Sequence, residues 1–255
     1  MVVLRSAAEI ATLREAGRVV AKTLAAVAAA ARAGVRLADL DEMAADLIAA
    51  AGAKPSFLGY HPSWAPIPYP GVLCLSVNEA IVHGIPDRRE LAEGDLLSID
   101  CGAYIDGYHG DAALTVGVGT IDDAGQRLID TTVRALEAGI EAARPGGRLG
   151  DISYAVEAVA RAGPYGLPPN LGGHGVGTSM HEDPHVPNTG RAGRGLVLRE
   201  GLVIAIEPML IESGRDGRHT TADGWTIVTT DGSRAAHAEH TIAVTDDGPV
   251  ILTAP

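Results

Sequence analysis

The chain has 255 residues and a mass of 26.2 kDa, which suits one large domain or two small halves. Apolar residues make up 46% and charged residues 20%, a composition typical of a globular protein rather than a disordered one. The net charge of −12 disfavours a sequence-independent nucleic-acid binder, which needs a basic face. No apolar run approaches the roughly 18 residues that span a bilayer, and the charged, amphipathic start is unlike a secretory signal. We therefore expect a cytoplasmic protein with no membrane partner.

Helices and β-branched runs alternate along the chain. Ser6 and Glu9 have the spacing of a capping box, which predicts a helix that continues to about Ala31, with Gly34 as a stop. Further helices are predicted at about 38–51, 122–143 and 150–162. Strands are predicted at 72–77, 95–101, 112–118, 202–207, 225–230 and 240–245.

The two halves of the chain resemble each other. A shift of 112 residues aligns 31–40 with 143–152, and six of these ten positions are identical. Compositional bias towards Ala, Arg and Gly is the alternative, but the match falls at the same helix–turn–helix joint in both halves, which favours a duplication. We expect one domain over 1–255, made of pseudo-symmetric α/β halves at about 1–118 and 119–255, with a site between them.

The segment 96–111 contains two aspartates that a hairpin would bring together. Asp106 and Gly107 have the spacing and type of a two-residue hairpin turn. Counting outward from that turn places Gly102 opposite Asp111, so that Asp100 and Asp111 share a face as diagonal neighbours, roughly 7–8 Å apart. Two carboxylates this close repel each other unless a cation lies between them. Two solvent-facing aspartates are the alternative for this hairpin alone.

Two histidines lie in the Gly-rich segment 171–182. Gly173 and Gly175 flank His174, which allows close backbone approach and leaves the imidazole unobstructed. His181 follows seven residues later, and no helical period explains the pair. For either histidine, an ordinary core or surface position is the alternative.

Two glutamates interrupt strands that should be apolar. Glu207 ends the buried-type run 202–207, where Pro208 keeps it extended, and Glu239 begins another strand. A carboxylate at the end of a buried strand is unfavourable without a partner. A metal ion or an ion pair with an arginine would supply that partner.

Four carboxylates and one imidazole thus form an oxygen-rich set. Its members are Asp100, Asp111, His174, Glu207 and Glu239. This set suits paired Mn, Fe or Co better than a closed structural zinc site, which favours Cys and His. The two cysteines, Cys74 and Cys101, match no zinc-finger spacing. Carboxylates that bridge two cations let them share one water and lower its pKa.

Several motifs closely resemble those of the type I methionine aminopeptidases. They are the segments 76–86, 172–177, 206–209 and 239–241. They fall in the family order with near-family spacing, and the similarity covers nearly the whole chain. The resemblance implies the duplicated pita-bread α/β fold, in agreement with the 112-residue repeat. Without the zinc-binding extension of the eukaryotic type I enzymes or the insertion of type II, the chain is similar to the compact bacterial form.

The resemblance also implies a metal site with two divalent ions, which could be Co, Mn, Fe, Zn or Ni. Asp111 and Glu239 would bridge the ions and Asp100 would hold one of them. His174 and Glu207 would hold the other ion. His83 and His181 match family histidines that contact the substrate near the scissile amide.

A methionine pocket is implied as well. It would draw on Phe57, Tyr60, Cys74, Met180 and Trp225, for which core packing is the alternative. The remaining histidines are expected to pack or to support the site: His61, His109, His185, His219, His237 and His240. The Pro-rich segment 59–71 is longer than in the usual bacterial form and is expected at the mouth of the pocket.

The resemblance implies removal of the initiator methionine from nascent proteins when the second residue is small, by a monomer acting at the ribosome. His83, His181 and Glu207 would be the catalytic residues. One rival is an aminopeptidase or dipeptidase of the same fold acting before proline, although those relatives usually carry an extra N-terminal domain. The other is a non-catalytic pita-bread module that binds RNA or protein, although such modules typically lose the metal ligands.

Overall fold

In the computed structural model, each of two helix pairs is followed by a run of strands. The structure describes residues 2–254, and Met1 and Pro255 of the predicted domain lie outside the described residues. The helices are α1 (Ala7–Ala30), α2 (Leu37–Ala50), α3 (Asp123–Ala142) and α4 (Leu149–Ala162). The first strands are β1 (Lys54–Pro55), β2 (Leu73–Val77), β3 (Ala80–Val82), β4 (Leu96–Ile105), β5 (Tyr108–Gly117), β6 (Gly172–Gly175) and β7 (Glu182–Pro187). The others are β8 (Val203–Ile206), β9 (Met209–Ile211), β10 (Arg218–Thr220), β11 (Ile227–Thr229), β12 (Ala235–His237), β13 (Glu239–Thr245) and β14 (Gly248–Ile251).

The four predicted helices are confirmed, with ends that differ by about one residue. The capping box is present at the start of α1, where the Glu9 carboxylate accepts a hydrogen bond from the Ser6 backbone N–H at 2.8 Å. Within residues 2–254, none of the helices has the length and apolar character needed to cross a membrane.

The helix bounds follow the predicted repeat. Helix α2 begins at Leu37 and ends at Ala50, and α4 begins at Leu149 and ends at Ala162, which is the same 112-residue shift. We propose on this ground that the chain is one domain built from two related halves.

The strands that carry the candidate ligands are neighbours in one antiparallel sheet. Its order is β1-β4-β5-β13-β8-β6-β7, with β2 beside β4 and β14 beside β13. A smaller sheet has the order β10-β11-β3, and β12 pairs with β9. All six predicted strands form, and β4 and β5 extend to the hairpin turn beyond their predicted ends. The other eight strands were not predicted: β1, β3, β6, β7, β9, β10, β12 and β14.

Each helix pair packs on the sheet through its own hydrophobic cluster. The cluster below α1 and α2 includes Val20, Leu24, Ile48, Leu73 and Ile99. The cluster below α3 and α4 includes Leu128, Ile140, Ile152, Ile204 and Ile242. Burying a side chain of this size contributes roughly 1.5–3 kcal/mol. Because strand side chains alternate in direction, and Ile99 and Cys101 belong to the first cluster, Asp100 between them faces the other side of the sheet.

Candidate metal centre and substrate cleft

The β4–β5 hairpin has the predicted register. Ile105 is paired with Tyr108 and Gly102 with Asp111, while Asp100 is paired with Ala113, two residues further along β5. Residues directly opposite each other, and those two apart on one strand, share a face of the sheet. Asp100 and Asp111 are therefore diagonal neighbours on the face opposite the helices.

Strand β13 adds a third carboxylate to this face. Glu239 is paired with Ala113, so that Asp100 and Glu239 flank Ala113 from the two neighbouring strands. The hydroxyl of Thr241 donates a hydrogen bond to the Asp111 carbonyl at 2.7 Å and accepts one from the Asp111 N–H at 3.2 Å. These two bonds hold the backbone of Asp111 in place.

Close backbone packing brings His174 to the same cluster. A Cβ at Gly173 would lie 2.0 Å from the Ala205 carbonyl oxygen, and one at Gly175 would lie 2.2 Å from the Asp183 carbonyl oxygen. Both positions next to His174 therefore require glycine, because any side chain would push β6 away from its neighbours. This close approach was predicted from the sequence.

The orientation of His174 leaves one nitrogen free for a cation. Its Nδ1 lies 3.0 Å from the Gly175 carbonyl oxygen, which accepts only from an N–H, so Nδ1 is the protonated nitrogen. Its Nε2 lies 3.5 Å from Asp111 Oδ2 and 3.7 Å from Glu207 Oε1. Glu207 directly follows β8, and the Asn188 side-chain amide donates to its carbonyl at 2.9 Å.

The cluster has the electrostatics of a cation site. Single ligand atoms of Asp111, His174 and Glu239 all lie within 4.8 Å of one another. Buried oxygens of Asp100, Asp111 and Glu239 have no hydrogen-bond partner among residues 2–254. Burial and then repulsion by the neighbouring carboxylates raise the pKa values of Asp100 and Glu239 well above their usual range. A divalent cation would satisfy these oxygens and reverse the repulsion, so the donor set fits a metal.

His237 lies against two of the candidate ligands. Its Nε2 is 3.5 Å from Glu207 Oε2 and 3.8 Å from Glu239 Oε2, and it is buried without a hydrogen-bond partner in the described part of the chain. The sequence analysis placed it among the packing or supporting histidines. Because it stands in the chain between two apolar alanines, no spacing signal distinguished it from the others.

The two candidate catalytic histidines face the cluster from different sides. The ring centroid of His181 lies 4.1 Å from that of His174, and its other face stacks on Tyr60 at 5.0 Å. Desolvation by its neighbours, and then the charges of nearby histidines, lower the pKa of His181, although one side of the ring reaches solvent. Burial lowers the pKa of His83 to about 4, and its backbone adopts a positive φ of 59°. Both rings are therefore neutral at pH 7.

A cavity of about 250 Å³ joins the cluster to an aromatic pocket. It is lined by all five candidate ligands, both candidate catalytic histidines, Phe57, Tyr60, Trp64, Tyr69, Cys74 and Trp225. Of the predicted pocket residues, Met180 does not line this cavity, although it is buried in the same cluster as Phe57 and Trp225.

Trp64 and Tyr69 were not predicted to line the pocket. The chain has one Phe and two Trp, and all three line this one cavity. Phe and Trp are so scarce in this sequence that each of the three could have been assigned to one common pocket. Both missed residues belong to the Pro-rich segment 59–71, which lies at the cavity as predicted.

The chain is similar to known metallopeptidases in sequence and in fold. The sequence model of metallopeptidase family M24 matches residues 11–246 of this chain. A curated protein of Mycobacterium tuberculosis named methionine aminopeptidase 1 is 50% identical, covering 98% of this chain and 94% of its own length. The crystal structure of a Thermotoga maritima methionine aminopeptidase superimposes with a TM-score of 0.95 at 39% identity, covering 100% of both chains. A prolidase from Pyrococcus furiosus shares the fold at 22% identity and a TM-score of 0.79, and this chain covers 65% of it.

Proposed function

This chain belongs to metallopeptidase family M24, and we propose that it removes N-terminal methionine from proteins and peptides whose second residue is small. The proposal is supported most directly by one cleft that contains both the candidate ligand cluster and the aromatic cavity. Candidate ligands from neighbouring strands meet in it, and aromatic side chains line the cavity beside them. The pita-bread fold predicted from the sequence is confirmed, and the chain is a metal-dependent hydrolase by family.

We propose that the cluster holds two divalent ions, drawn from Co, Mn, Fe, Zn or Ni. Asp111 and Glu239 would bridge them, with Asp100 on one and with His174 and Glu207 on the other. When bound, such ions act as Lewis acids that lower the pKa of the attacking water and polarise the scissile carbonyl. The unpartnered buried oxygens of Asp100, Asp111 and Glu239 support this assignment.

Three side chains around the cluster would carry out the other steps of the reaction. Glu207 is half-buried at the edge of the cleft and would accept the proton of the attacking water. His181 is neutral and would donate an N–H to the carbonyl oxygen as charge develops on it. His83 would face the leaving amine, and its buried Nδ1 has no other partner in residues 2–254.

The aromatic cavity would bind the methionine side chain. Its walls are apolar and aromatic, and aromatic rings make favourable contacts with a thioether sulfur. Tyr69, whose single hydroxyl proton is shared between the Leu73 and Gly84 carbonyls at 3.0 and 2.8 Å, lines the cavity. An unbranched side chain would fill it, whereas a β-branched one would meet its entrance.

Two alternative functions are less well supported. A prolidase-like activity has weaker support, because the prolidase shares only the fold at 22% identity whereas the relatives at 39–50% identity are methionine aminopeptidases. A non-catalytic binding module would not need five candidate ligands in one cluster, three of which have a buried carboxylate oxygen without a hydrogen-bond partner among residues 2–254. We further propose that the protein acts as a cytoplasmic monomer on nascent chains at the ribosome, without specific binding to nucleic acid.

The proposal is tested with metal-free protein to which one divalent metal at a time is returned. The peptides Met-Ala-Ser and Ala-Pro-Ser are then compared. We expect release of methionine from Met-Ala-Ser and little cleavage of Ala-Pro-Ser. Preferred cleavage before proline would favour the prolidase alternative, and no stable metal binding would favour the binding module.

A further inference from the structure

Trp64 stands at the junction of two cavities. It lines the aromatic cavity and also a second one of about 440 Å³, which shares with the first only Trp64, His83, His174, His181 and Glu207. If the proposed function holds, the methionine side chain occupies the first cavity and the rest of the substrate leaves through the second. The second residue of the substrate must then pass the junction where Trp64 stands.

The indole of Trp64 lines the cleft and is exposed, unlike the side chain of a core residue. It is 59% exposed, the largest exposure among the exposed large hydrophobic side chains of residues 2–254. Its ring lies nearly parallel to that of His83, at 6.4 Å and 22°, and meets Trp225 edge-on at 4.9 Å. A substrate that covered this ring would remove apolar surface from water, which is favourable.

Several contacts hold the segment that carries Trp64. The backbone N–H groups of Gly59 and Tyr69 donate to the carbonyls of Tyr69 and Tyr60, both at 2.8 Å, and close the segment into a loop. The Trp225 indole N–H donates to the Ile67 carbonyl at 3.0 Å.

The turn before Trp225 packs against the same segment. A Cβ at Gly224 would lie 2.3 Å from Pro66 Cγ, so that this turn and the Pro-rich segment leave no room between them. Prolines also reduce the number of backbone conformations open to the segment. The backbone that carries Trp64 is therefore held in position before the substrate arrives, and the rings of His83 and Trp225 lie beside its indole.

We propose that Trp64 sets the size limit on the second residue of the substrate. Its fixed indole narrows the junction beside His83, so that Gly, Ala or Ser fits beneath it while a longer side chain collides with it. Trp64 thus acts as a specificity-determining residue, and the Pro-rich segment serves to hold it there.

The test compares peptides that differ only at the second residue: Met-Ala-Ser, Met-Val-Ser and Met-Leu-Ser. The ratio of kcat/KM for Ala over Leu should fall by about tenfold in Trp64→Ala, the scale of steric discrimination in a hydrophobic site. Trp64→Phe keeps a ring and should retain most of the ratio. Tyr154→Ala removes an aromatic ring that is 54% exposed on α4 and should leave the ratio unchanged.

The outcomes separate this inference from the proposed function. If the wild-type protein does not cleave Met-Ala-Ser at all, the proposed function fails. If it does, and Trp64→Ala has the wild-type ratio or slows all three peptides equally, the role of Trp64 is overturned. Thermal melting of each variant shows whether the fold survives, and Trp64→Leu, which also removes the ring and should also lower the ratio, supplies the second variant if the alanine variant unfolds.

Discussion

Asp100 and Asp111 face each other diagonally across one hairpin, and each has a buried carboxylate oxygen without a hydrogen-bond partner among residues 2–254. Burial raises the pKa of both carboxyls, and the charge of Asp111 adds to the rise at Asp100. A folded acid whose pKa is raised holds its proton more tightly than in the unfolded chain. Stability of the metal-free protein therefore falls as pH rises above the unfolded pKa values of about 4.

We therefore expect the metal-free protein to melt at a lower temperature at pH 7.5 than at pH 5.5. Asp100→Asn removes one repelling charge and should raise the melting temperature of the metal-free protein at pH 7.5 by about 2–4 °C, the equivalent of roughly 1 kcal/mol in a chain of this size. It should also reduce the stabilisation gained from added metal. Differential scanning calorimetry after chelation measures both.

Asp106→Asn is the matched control for Asp100→Asn. It makes the same change at the exposed turn of the same hairpin, where the positive φ of 47° also suits Asn. It should leave the pH dependence as it is in the wild-type protein. If Asp100→Asn melted at a lower temperature than the wild-type protein without metal, mutual repulsion would not be the dominant effect in the cluster.

The proposed bridging role of Asp111 and Glu239 predicts that a substitution of either residue removes metal and activity together. Asp111→Asn and Glu239→Gln each keep the shape of the side chain but remove the charge that would be shared by two ions. Metal content and activity should fall together, activity by more than the roughly 10- to 100-fold that loss of an outer partner costs. Elemental analysis and turnover of Met-Ala-Ser measure this, with Glu137→Gln on the exposed face of α3 as the control. Full metal content with normal turnover in either variant would contradict the bridging role.

Local signals predicted the helices, the hairpin register and the five candidate ligands. Turn chemistry at Asp106 and Gly107 determines which residues of β4 and β5 face each other, and two flanking glycines allow the close approach of His174. What the sequence did not reveal depends on contacts between distant segments. Trp64 lies at the cleft in a loop that accepts a hydrogen bond from Trp225, and His237 reaches Glu207 through the short β12–β9 pairing. Strands of three residues carry too few positions for an alternating pattern to appear.

The aromatic cavity predicts selectivity at the first residue of the substrate. Norleucine has the length of methionine without sulfur and should still be cleaved, whereas valine branches at Cβ and should be cleaved hardly at all. The kcat/KM values for Met-Ala-Ser, norleucine-Ala-Ser and Val-Ala-Ser test this on one metal-loaded preparation. Comparable values for methionine and valine would show that the cavity does not select the first side chain.

Trp225 offers a mutational test of the same cavity. It is 3% exposed and forms one wall beside Tyr69, at a ring distance of 5.0 Å. Trp225→Phe should raise KM for methionine peptides while leaving the metal content at its wild-type value, because the Trp225 indole N–H donates to the Ile67 carbonyl and not to a candidate ligand. A loss of metal in this variant would show that the wall and the metal cluster are not separate.

His181 and His174 are adjacent rings with different predicted roles. Their centroids lie 4.1 Å apart, but only His174 directs Nε2 at the carboxylates, whereas His181 stacks on Tyr60 at the open side of the cleft. A neutral donor that strengthens its bond as the carbonyl becomes an oxyanion acts mainly in the transition state. His181→Ala should therefore bind metal normally and lose about 10²-fold or more in kcat, with a smaller change in KM. His174→Ala should lose metal first. Metal analysis and steady-state kinetics on both variants decide the matter: a metal-free His181→Ala, or one that loses binding but not kcat, would show that His181 belongs to the metal site rather than to the chemistry.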